Sequence, residues 1–209
     1  MRPKAIQFFP AIFAVILALW PAHTRGNSVA VTFPANTSFT AAQNFTFGWD
    51  FTLSSPVLVT DLGVFGAGEL TDSHPITIWT STGTVVTTGI VPAGTAGILV
   101  NQFRYVSIAP TLLAAGSYVI GAYYPTESEA IAFNAIGLTT APEVSYGQGR
   151  VGAGTALPGN TVSNNGYFGP NFQFIAPAAV PEGGSSWILL ALSLGGILGF
   201  RSVSKRRTA

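Results

Sequence analysis

The sequence predicts an all-β protein, in which an antiparallel, jelly-roll-like β-sandwich is followed by a single C-terminal transmembrane helix. Short segments that alternate apolar and polar residues recur from Val31 to about Ile175, with turn residues between them. No stretch of this span carries a helical apolar stripe, so a sandwich or barrel is favoured over alternating strands and helices. The charge-free apolar run Trp187–Phe200 predicts the helix.

Residues 1–30 are predicted to be a secretory signal peptide. They contain the three parts of such a segment, namely a positive start (Arg2, Lys4), an apolar run (Ala11–Trp20) and small residues before the cleavage point (Ser28–Ala30). The mature domain is therefore expected to begin near Val31. Thr24–Gly26 offers a second, poorer cleavage site, and an uncleaved N-terminal anchor remains the alternative.

The ectodomain is predicted to span residues 31–176. Phe45–Leu53 is its clearest strand, because every second residue is apolar over nine positions. Further strands are predicted at Val57–Phe65, Pro75–Trp79, Thr84–Thr88, Ile98–Ile108, Ser117–Tyr124, Ala130–Phe133, Val144–Tyr146 and Asn171–Ile175. The segment Gly147–Pro170 is rich in Gly, Asn, Pro and Ser and is predicted to be a long loop. It is interpreted as a mobile surface loop, a ligand-binding face or the cover of an open sheet edge.

Charge and cysteine content exclude several classes of function. The chain has 209 residues and no cysteine, which excludes disulfides, cysteine-ligated zinc and thiol catalysis. Between Val31 and Ala179 two cations, Arg104 and Arg150, stand against seven acids, a net charge of −5. A basic surface for nucleic acid is therefore absent from this domain.

Three motifs that could carry chemistry are each explained more simply by structure. Gly147–Gly152 fits G-x-G-x-x-G, but no helix pattern follows it, so a flexible loop is favoured over a dinucleotide site. His74 is the one histidine of the ectodomain and no nucleophile elbow accompanies it, which disfavours a catalytic triad. Glu69 and Asp72, with Asp61 upstream, favour a solvated acidic loop, with bound calcium or a glycosidase pair left open.

Aromatic side chains are the fourth candidate, since their flat faces stack on sugar rings. Aromatics in strands are more often core residues or cross-strand partners, and this interpretation is favoured here. Tyr167 and Phe168 are the best candidates for display, because they lie in the predicted loop. The aromatic residues concerned are Trp49, Trp79, Tyr123, Tyr124, Tyr146, Tyr167 and Phe168. No catalytic residue, cofactor or metal ligand is predicted.

The C-terminal segment has three parts, namely a linker with a short polar motif at 177–186, a transmembrane helix at 187–203 and a basic cytoplasmic tail at 204–209. As a helix, Trp187–Phe200 would be about 21 Å long, and Ser185–Val203 approaches the ~30 Å of a bilayer core. A buried core helix is the alternative. Basic residues lie only beyond the apolar run, so they are expected in the cytoplasm. They are Arg201, Lys205, Arg206 and Arg207.

This order of motif, apolar segment and basic end resembles the bacterial PEP-CTERM sorting signal. Pro181 and Glu182 match the first two motif positions, and Gly183 stands in place of the second proline, as in a V-P-[D/E]-G variant. The span Asp61–Tyr124 is also similar to ectodomains found ahead of such tails. The motif comprises Val180, Pro181, Glu182, Gly183, Gly184 and Ser185.

The resemblance implies export to the cell envelope or cell surface and handling by an exosortase-like membrane enzyme. The setting it implies is the envelope or an extracellular polysaccharide matrix. We therefore expect a non-enzymatic protein with a structural or adhesive role, whose partners are the membrane and the sorting enzyme. A carbohydrate-binding module acting on exopolysaccharide is the alternative, and a secreted hydrolase is a weaker one.

Overall fold

The computed structural model describes residues 26–66, 68–162 and 166–176, and within them every regular element is a β-strand. The strands are β1 (Ser28–Val29), β2 (Val31–Thr32), β3 (Ala35–Thr40), β4 (Phe45–Leu53), β5 (Val57–Phe65), β6 (His74–Thr80), β7 (Val85–Val91), β8 (Ile98–Val100), β9 (Phe103–Leu113), β10 (Gly116–Tyr124), β11 (Ala130–Ile136), β12 (Thr139–Thr140), β13 (Val144–Ala153), β14 (Asn160–Val162), β15 (Tyr167–Phe168) and β16 (Pro170–Ile175). The predicted all-β class is confirmed. In the part of the chain described, no helix has the length and apolarity needed to span a membrane. The sorting motif, the predicted transmembrane helix and the basic tail lie outside the described residues.

Two large antiparallel sheets form the domain. One has five strands in the order β1-β16-β5-β9-β8, and the other has six in the order β14-β13-β4-β10-β6-β7. Two smaller sheets, β15-β11-β3 and β12-β2, complete the fold. Every pairing is antiparallel, so hairpins and longer returns connect the strands without crossover helices.

Aromatic side chains join the two large sheets in a sandwich-like arrangement. Alternation along β4 directs Trp49 and Phe51 toward β16 of the five-stranded sheet. The rings of Trp49 and Phe172 stack with centroids 6.0 Å apart, and Phe51 lies 5.0 Å from Phe172. The indole Nε1 of Trp49 donates a hydrogen bond of 2.9 Å to the carbonyl of Pro170. The alternation that predicted β4 therefore also builds the core.

One predicted strand is in fact two. The sequence predicted a single strand over Ile98–Ile108, but β8 ends at Val100 and β9 begins at Phe103. Asn101 adopts a left-handed conformation with φ of 55°, which asparagine tolerates better than most residues. The chain therefore reverses in a two-residue turn. The apolar residues on both sides of this turn gave the appearance of one continuous strand.

The predicted loop Gly147–Pro170 is mostly strand, so that prediction is wrong. β13 continues to Ala153 beside β4, and β14 then pairs with β13 at the edge of the six-stranded sheet. Glycine in this segment allows the backbone to pack closely on itself, because a Cβ on Gly152 would lie 2.8 Å from the Cα of Pro158. Of the three interpretations, protection of a sheet edge fits best, and the Gly147–Gly152 motif lies in an extended strand.

Residues just before the predicted start of the mature domain take part in the sandwich. β1 pairs with β16, and Ala30 is fully buried. The amide of Ala30 donates to the carbonyl of Phe172 at 3.0 Å, and its own carbonyl accepts from Ala141 at 3.0 Å. The side chain of Asn27 donates to Asp61 at 3.0 Å. Residues 27–30 therefore complete one side of the five-stranded sheet.

We predict that a chain beginning at Asn27 is more stable than one beginning at Val31. The shorter chain loses the pairing of β1 and the buried hydrogen bonds of Ala30, each worth about 0.5–1.5 kcal/mol net. A total near 2 kcal/mol corresponds to a drop in Tm of roughly 4–8 °C in a domain of this size. Thermal melts of the two chains measure it.

Amino-terminal sequencing of the exported protein supplies the independent check. A mature terminus at Asn27, after Thr24–Gly26, agrees with this account. Equal melting temperatures, together with a natural terminus at Val31, would contradict it.

Candidate functional site

The outer face of the six-stranded sheet carries the best-defined polar site of the described residues. Alternation along β4 places Asp50 on the side opposite Trp49. In β13 the register with β4 shifts between Tyr146 and Gly149, which marks a bulge. The bulge brings the amide of Gln148 within 2.7 Å of Asp50 Oδ1. A Cβ at Gly147 would lie 2.1 Å from that oxygen, so any other residue there would displace the carboxylate.

Arg150 completes this arrangement with a charge pair. Its Nη2 and Nε donate to Asp50 Oδ2 at 2.7 and 2.9 Å. The two side chains are 23% and 20% exposed, so solvent screens the pair and its contribution to stability is modest. Three donors thus fix the Asp50 carboxylate in one orientation. Part of the guanidinium faces the solvent and is accessible to a ligand.

A groove of about 300 Å³ opens beside the pair. Hydroxyl groups line it, and they come from strands β4, β10 and β13 and from the turn after β6: Thr52, Ser81, Ser117, Ser145 and Tyr146. Burial, and then the nearby Asp50 carboxylate, raise the pKa of Tyr146 to about 12, so its phenol keeps its proton at neutral pH. Groups that both donate and accept suit a polyhydroxylated ligand such as a sugar.

A second cluster of titratable groups surrounds His74, at the start of β6. His74 is fully buried, and its Nδ1 donates to the carbonyl of Tyr123 at 3.0 Å. Its ring lies 4.6 Å from that of Tyr124. Burial lowers the pKa of His74, against the opposing effects of the Tyr123 carbonyl and of the carboxylates of Glu129 and Asp72. Burial, and then Glu129, raise the pKa of Tyr124 far above its ordinary range.

This cluster is not arranged for nucleophilic catalysis. Within the described residues, His74 Nε2 and the Tyr124 hydroxyl have no hydrogen-bond partner, so no serine is paired with the imidazole as a triad requires. Glu129 instead accepts hydrogen bonds from the amides of Thr71 and Asp72. Glu129 therefore holds the loop that precedes β6, and His74 is a neutral imidazole packed in the core.

The structure does not bring the three predicted acidic residues together. Asp72 accepts from Ser128 and Thr126, and these hydrogen bonds lower its pKa. Asp61 is nearly buried and accepts from Ser107 at 2.6 Å. Among the described residues, no group of three His, Cys, Asp or Glu side chains could hold a metal ion. In the part of the chain that the structure describes, a three-carboxylate calcium site is therefore not assembled from Asp61, Glu69 and Asp72.

The aromatic residues are mostly core, as favoured, but the candidate for display is wrong. Phe168 is fully buried and contacts Trp49 at 6.0 Å between ring centroids. Tyr167 is half-buried and packs 5.6 Å from both Phe39 and Phe47. The two residues close one end of the core, because β15 pairs with β11 instead of lying in a free loop.

Sequence reasoning missed the Asp50–Arg150 pair and the role of Arg104. Asp50 and Arg150 are 100 positions apart, so no local pattern connects them. Arg104 is buried and donates to the carbonyls of Gly68 at 2.6 Å and Gly97 at 3.1 Å. It therefore holds two loops with its guanidinium. The scarcity of cations in the ectodomain was the one available signal that both arginines have specific tasks.

We predict that stability falls as the pH drops below about 6.5, the ordinary pKa of histidine. The folded-state pKa of His74 is lowered, so the unfolded chain takes up a proton that the folded chain refuses. Its stabilising contribution is complete above the unfolded pKa and is lost as the pH falls toward the folded one. Denaturant unfolding at several pH values between about 7.5 and 5 measures the slope.

His74→Gln is the matched variant, since it removes the titrating ring and keeps a polar side chain. Its unfolding free energy is expected to vary less over the same window, whatever its absolute stability. A slope equal to that of the wild type would assign the pH dependence to other groups.

A family model described as a domain of unknown function, DUF4082, matches residues 31–169. The match runs from β2 to the residue before β16 and contains both Asp50 and Arg150. No curated protein and no solved structure matched the chain.

Proposed function

We propose that the chain, which belongs to the DUF4082 family, is an exported, non-enzymatic protein of the bacterial cell envelope or extracellular matrix. Its role is structural or adhesive, and it is held or processed through its PEP-CTERM-like C-terminal segment. We also propose that the sandwich is jelly-roll-like and that residues 187–203 form a single transmembrane helix. The partners are the membrane and an exosortase-like enzyme.

The observation that carries this proposal is how the C-terminal strand is embedded. β16 lies between β1 and β5, and Phe172 and Phe174 are fully buried. Ala176, the last described residue, is only 7% exposed and packs with the core. A pull on the tail therefore loads an interior strand, which is hydrogen-bonded on both sides and can leave only if both ladders break. Such a junction suits a tethered domain.

The tail itself supplies the sorting argument. If the basic residues stay in the cytoplasm, Pro181 and Glu182 lie just outside the membrane, where a membrane-embedded enzyme reaches them. The sequence places proline at 181, and proline disfavours a helical backbone at the residue before it, so an extended motif is expected. Each basic residue resists passage through the bilayer centre by about 2.5–3.5 kcal/mol. The motif and the basic end thus have separable tasks, recognition and retention.

We predict two different defects from two sets of substitutions. Replacing Pro181 and Glu182 with Ala is expected to leave the precursor in the membrane but unprocessed. If the cut falls at the motif, this precursor is about three kilodaltons heavier than the processed protein, because a tail of roughly 30 residues at about 110 Da each is retained. Replacing the four basic residues Arg201, Lys205, Arg206 and Arg207 with Gln is expected to loosen retention while the motif stays intact. Cell fractionation with immunoblotting, beside the wild type, measures both. If the Pro181/Glu182 variant is processed and localised normally, the tail is a plain membrane anchor.

A carbohydrate-binding module acting on exopolysaccharide is the second candidate, favoured by the hydroxyl-lined groove beside Asp50 and Arg150. Binding there would rely on hydrogen bonds from the guanidinium of Arg150 and from the serine and threonine hydroxyls, because the Tyr146 ring packs against Trp49 and Phe168. Calorimetric titration with purified exopolysaccharide tests it. Arg150→Gln is expected to weaken binding at least about tenfold, the loss of one charge-assisted hydrogen bond.

Ser38→Ala, on the mostly exposed strand β3 outside the six-stranded sheet, is the matched control and is expected to bind like the wild type. No binding by the wild type would remove this candidate. Turnover of the polysaccharide, lost on substitution of Glu69 or Asp72, would point instead to the secreted hydrolase.

A further inference from the structure

β7 is an unusual sheet edge. The other edge strands of the two large sheets are short, with two residues in β1 and three each in β8 and β14, whereas β7 has seven. Short strands, charges and prolines are the usual protections of an edge. β7 reads VVTTGIV and has no charge and no proline, and its one irregularity is a bulge at Val86, near its first residue. No described strand pairs with its outer side, and Val85 and Ile90 are 57% and 59% exposed.

The surface around β7 carries no exposed charge from its own part of the chain. Between Asp72 and Glu127 the one charged residue is Arg104, which is buried. The neighbouring edge strand β8 adds Ile98 and Leu99, which are 68% and 45% exposed. β7 and β9, the strand beside β8, are joined by a hydrogen bond between Thr87 and Thr111, so the two edges lie on the same side of the sandwich.

The two ends of β7 differ in charge. Val91 pairs with His74 and is followed by the bridge between Leu70 and Gly94, so the loop that contains Glu69 and Asp72 lies at this end. The Val85 end follows the uncharged turn 81–84. Seven residues of strand separate the ends by about 20 Å. This exceeds the Debye length of roughly 8 Å at physiological ionic strength.

We propose that β7 pairs antiparallel with β7 of a second copy of this chain, and that the two six-stranded sheets join into one. The domain carries a net charge of −5 between residues 31 and 179, so two copies approach more readily through an uncharged edge such as β7 than through an acidic surface. Antiparallel pairing sets the acidic end of each copy against the neutral end of the other. Parallel pairing would place the two acidic loops side by side. The charge distribution therefore favours the antiparallel orientation of two copies over the parallel one.

The strand sequence fits a two-fold axis at Thr88. In that register Ile90 of one copy faces Val86 of the other, at the bulge, and Gly89 faces Thr87, so one β-branched pair lies on each side of the axis. The interface is isologous and closed, which gives a dimer without open fibres. The proposal goes beyond the function proposed above, because it requires neither the sorting motif nor a glycan.

Cysteine cross-linking of the full-length chain tests the pairing, since the chain has no cysteine and each introduced thiol is the sole one. In Thr88→Cys the two thiols lie opposite each other at the axis, with Cβ atoms about 4.5–5.5 Å apart, close to disulfide range. In Val85→Cys they lie about 20 Å apart. Thr161→Cys, on the opposite edge of the same sheet, is the control for chance encounters.

Non-reducing electrophoresis of the exported chains gives the result. A disulfide-linked dimer in Thr88→Cys, with Val85→Cys and Thr161→Cys monomeric, supports the proposal. No dimer in Thr88→Cys, equal dimer in all three, or as much dimer in Val85→Cys as in Thr88→Cys overturns it.

A second substitution in the Thr88→Cys background separates edge pairing from local reactivity. Ile90→Lys adds a charge to the edge and is expected to lower the dimer yield at least tenfold. Ile136→Lys is the matched control, because Ile136 is 63% exposed on β11, and it is expected to leave the yield unchanged. Equal yields in the two variants overturn the proposal.

Discussion

The packing of Trp49 against β16 is the interaction on which the rest of this domain depends. Trp49 is fully buried, stacks on Phe172 and donates its indole hydrogen to Pro170, so one side chain joins the two sheets by both packing and hydrogen bonding. Loss of such a side chain costs about 3–5 kcal/mol. Because the chain has no cysteine, no disulfide can compensate for weak packing. The aromatic core must therefore supply the cohesion itself.

The same strand that builds the core also positions the candidate site. Side chains on β4 alternate between the two faces of the sheet, so Trp49 is buried and its neighbour Asp50 faces outward. The Asp50 carboxylate lies against the bulge of β13 and binds the guanidinium of Arg150. The geometry of the groove is therefore set by the register of two central strands and not by a mobile loop. A site built on regular strands holds its side chains in place more precisely than one built on a loop.

Sequence patterns predicted what depends on neighbours in the chain. Phe45–Leu53 and Val57–Phe65 were predicted with the bounds that the structure has, because alternation directly reports one buried face. The division at Asn101 and the strands within Gly147–Pro170 were missed, since glycine and asparagine mark turns and tight packing alike. The Asp50–Arg150 pair was missed because its partners meet only through the sheet order, which local patterns do not encode.

The order of strands links folding to the tail. The five-stranded sheet places β16, the last strand, between β1, the first, and β5. The buried side chain of Asn171 donates to the carbonyl of Val31 at 2.8 Å and accepts from its amide at 3.3 Å, so it holds the N-terminal segment in place. This sheet cannot close before residues 170–175 are available, and such long-range pairing is slow to form. A chain that emerges from its N-terminus therefore completes its sandwich only after residues 170–175 have emerged.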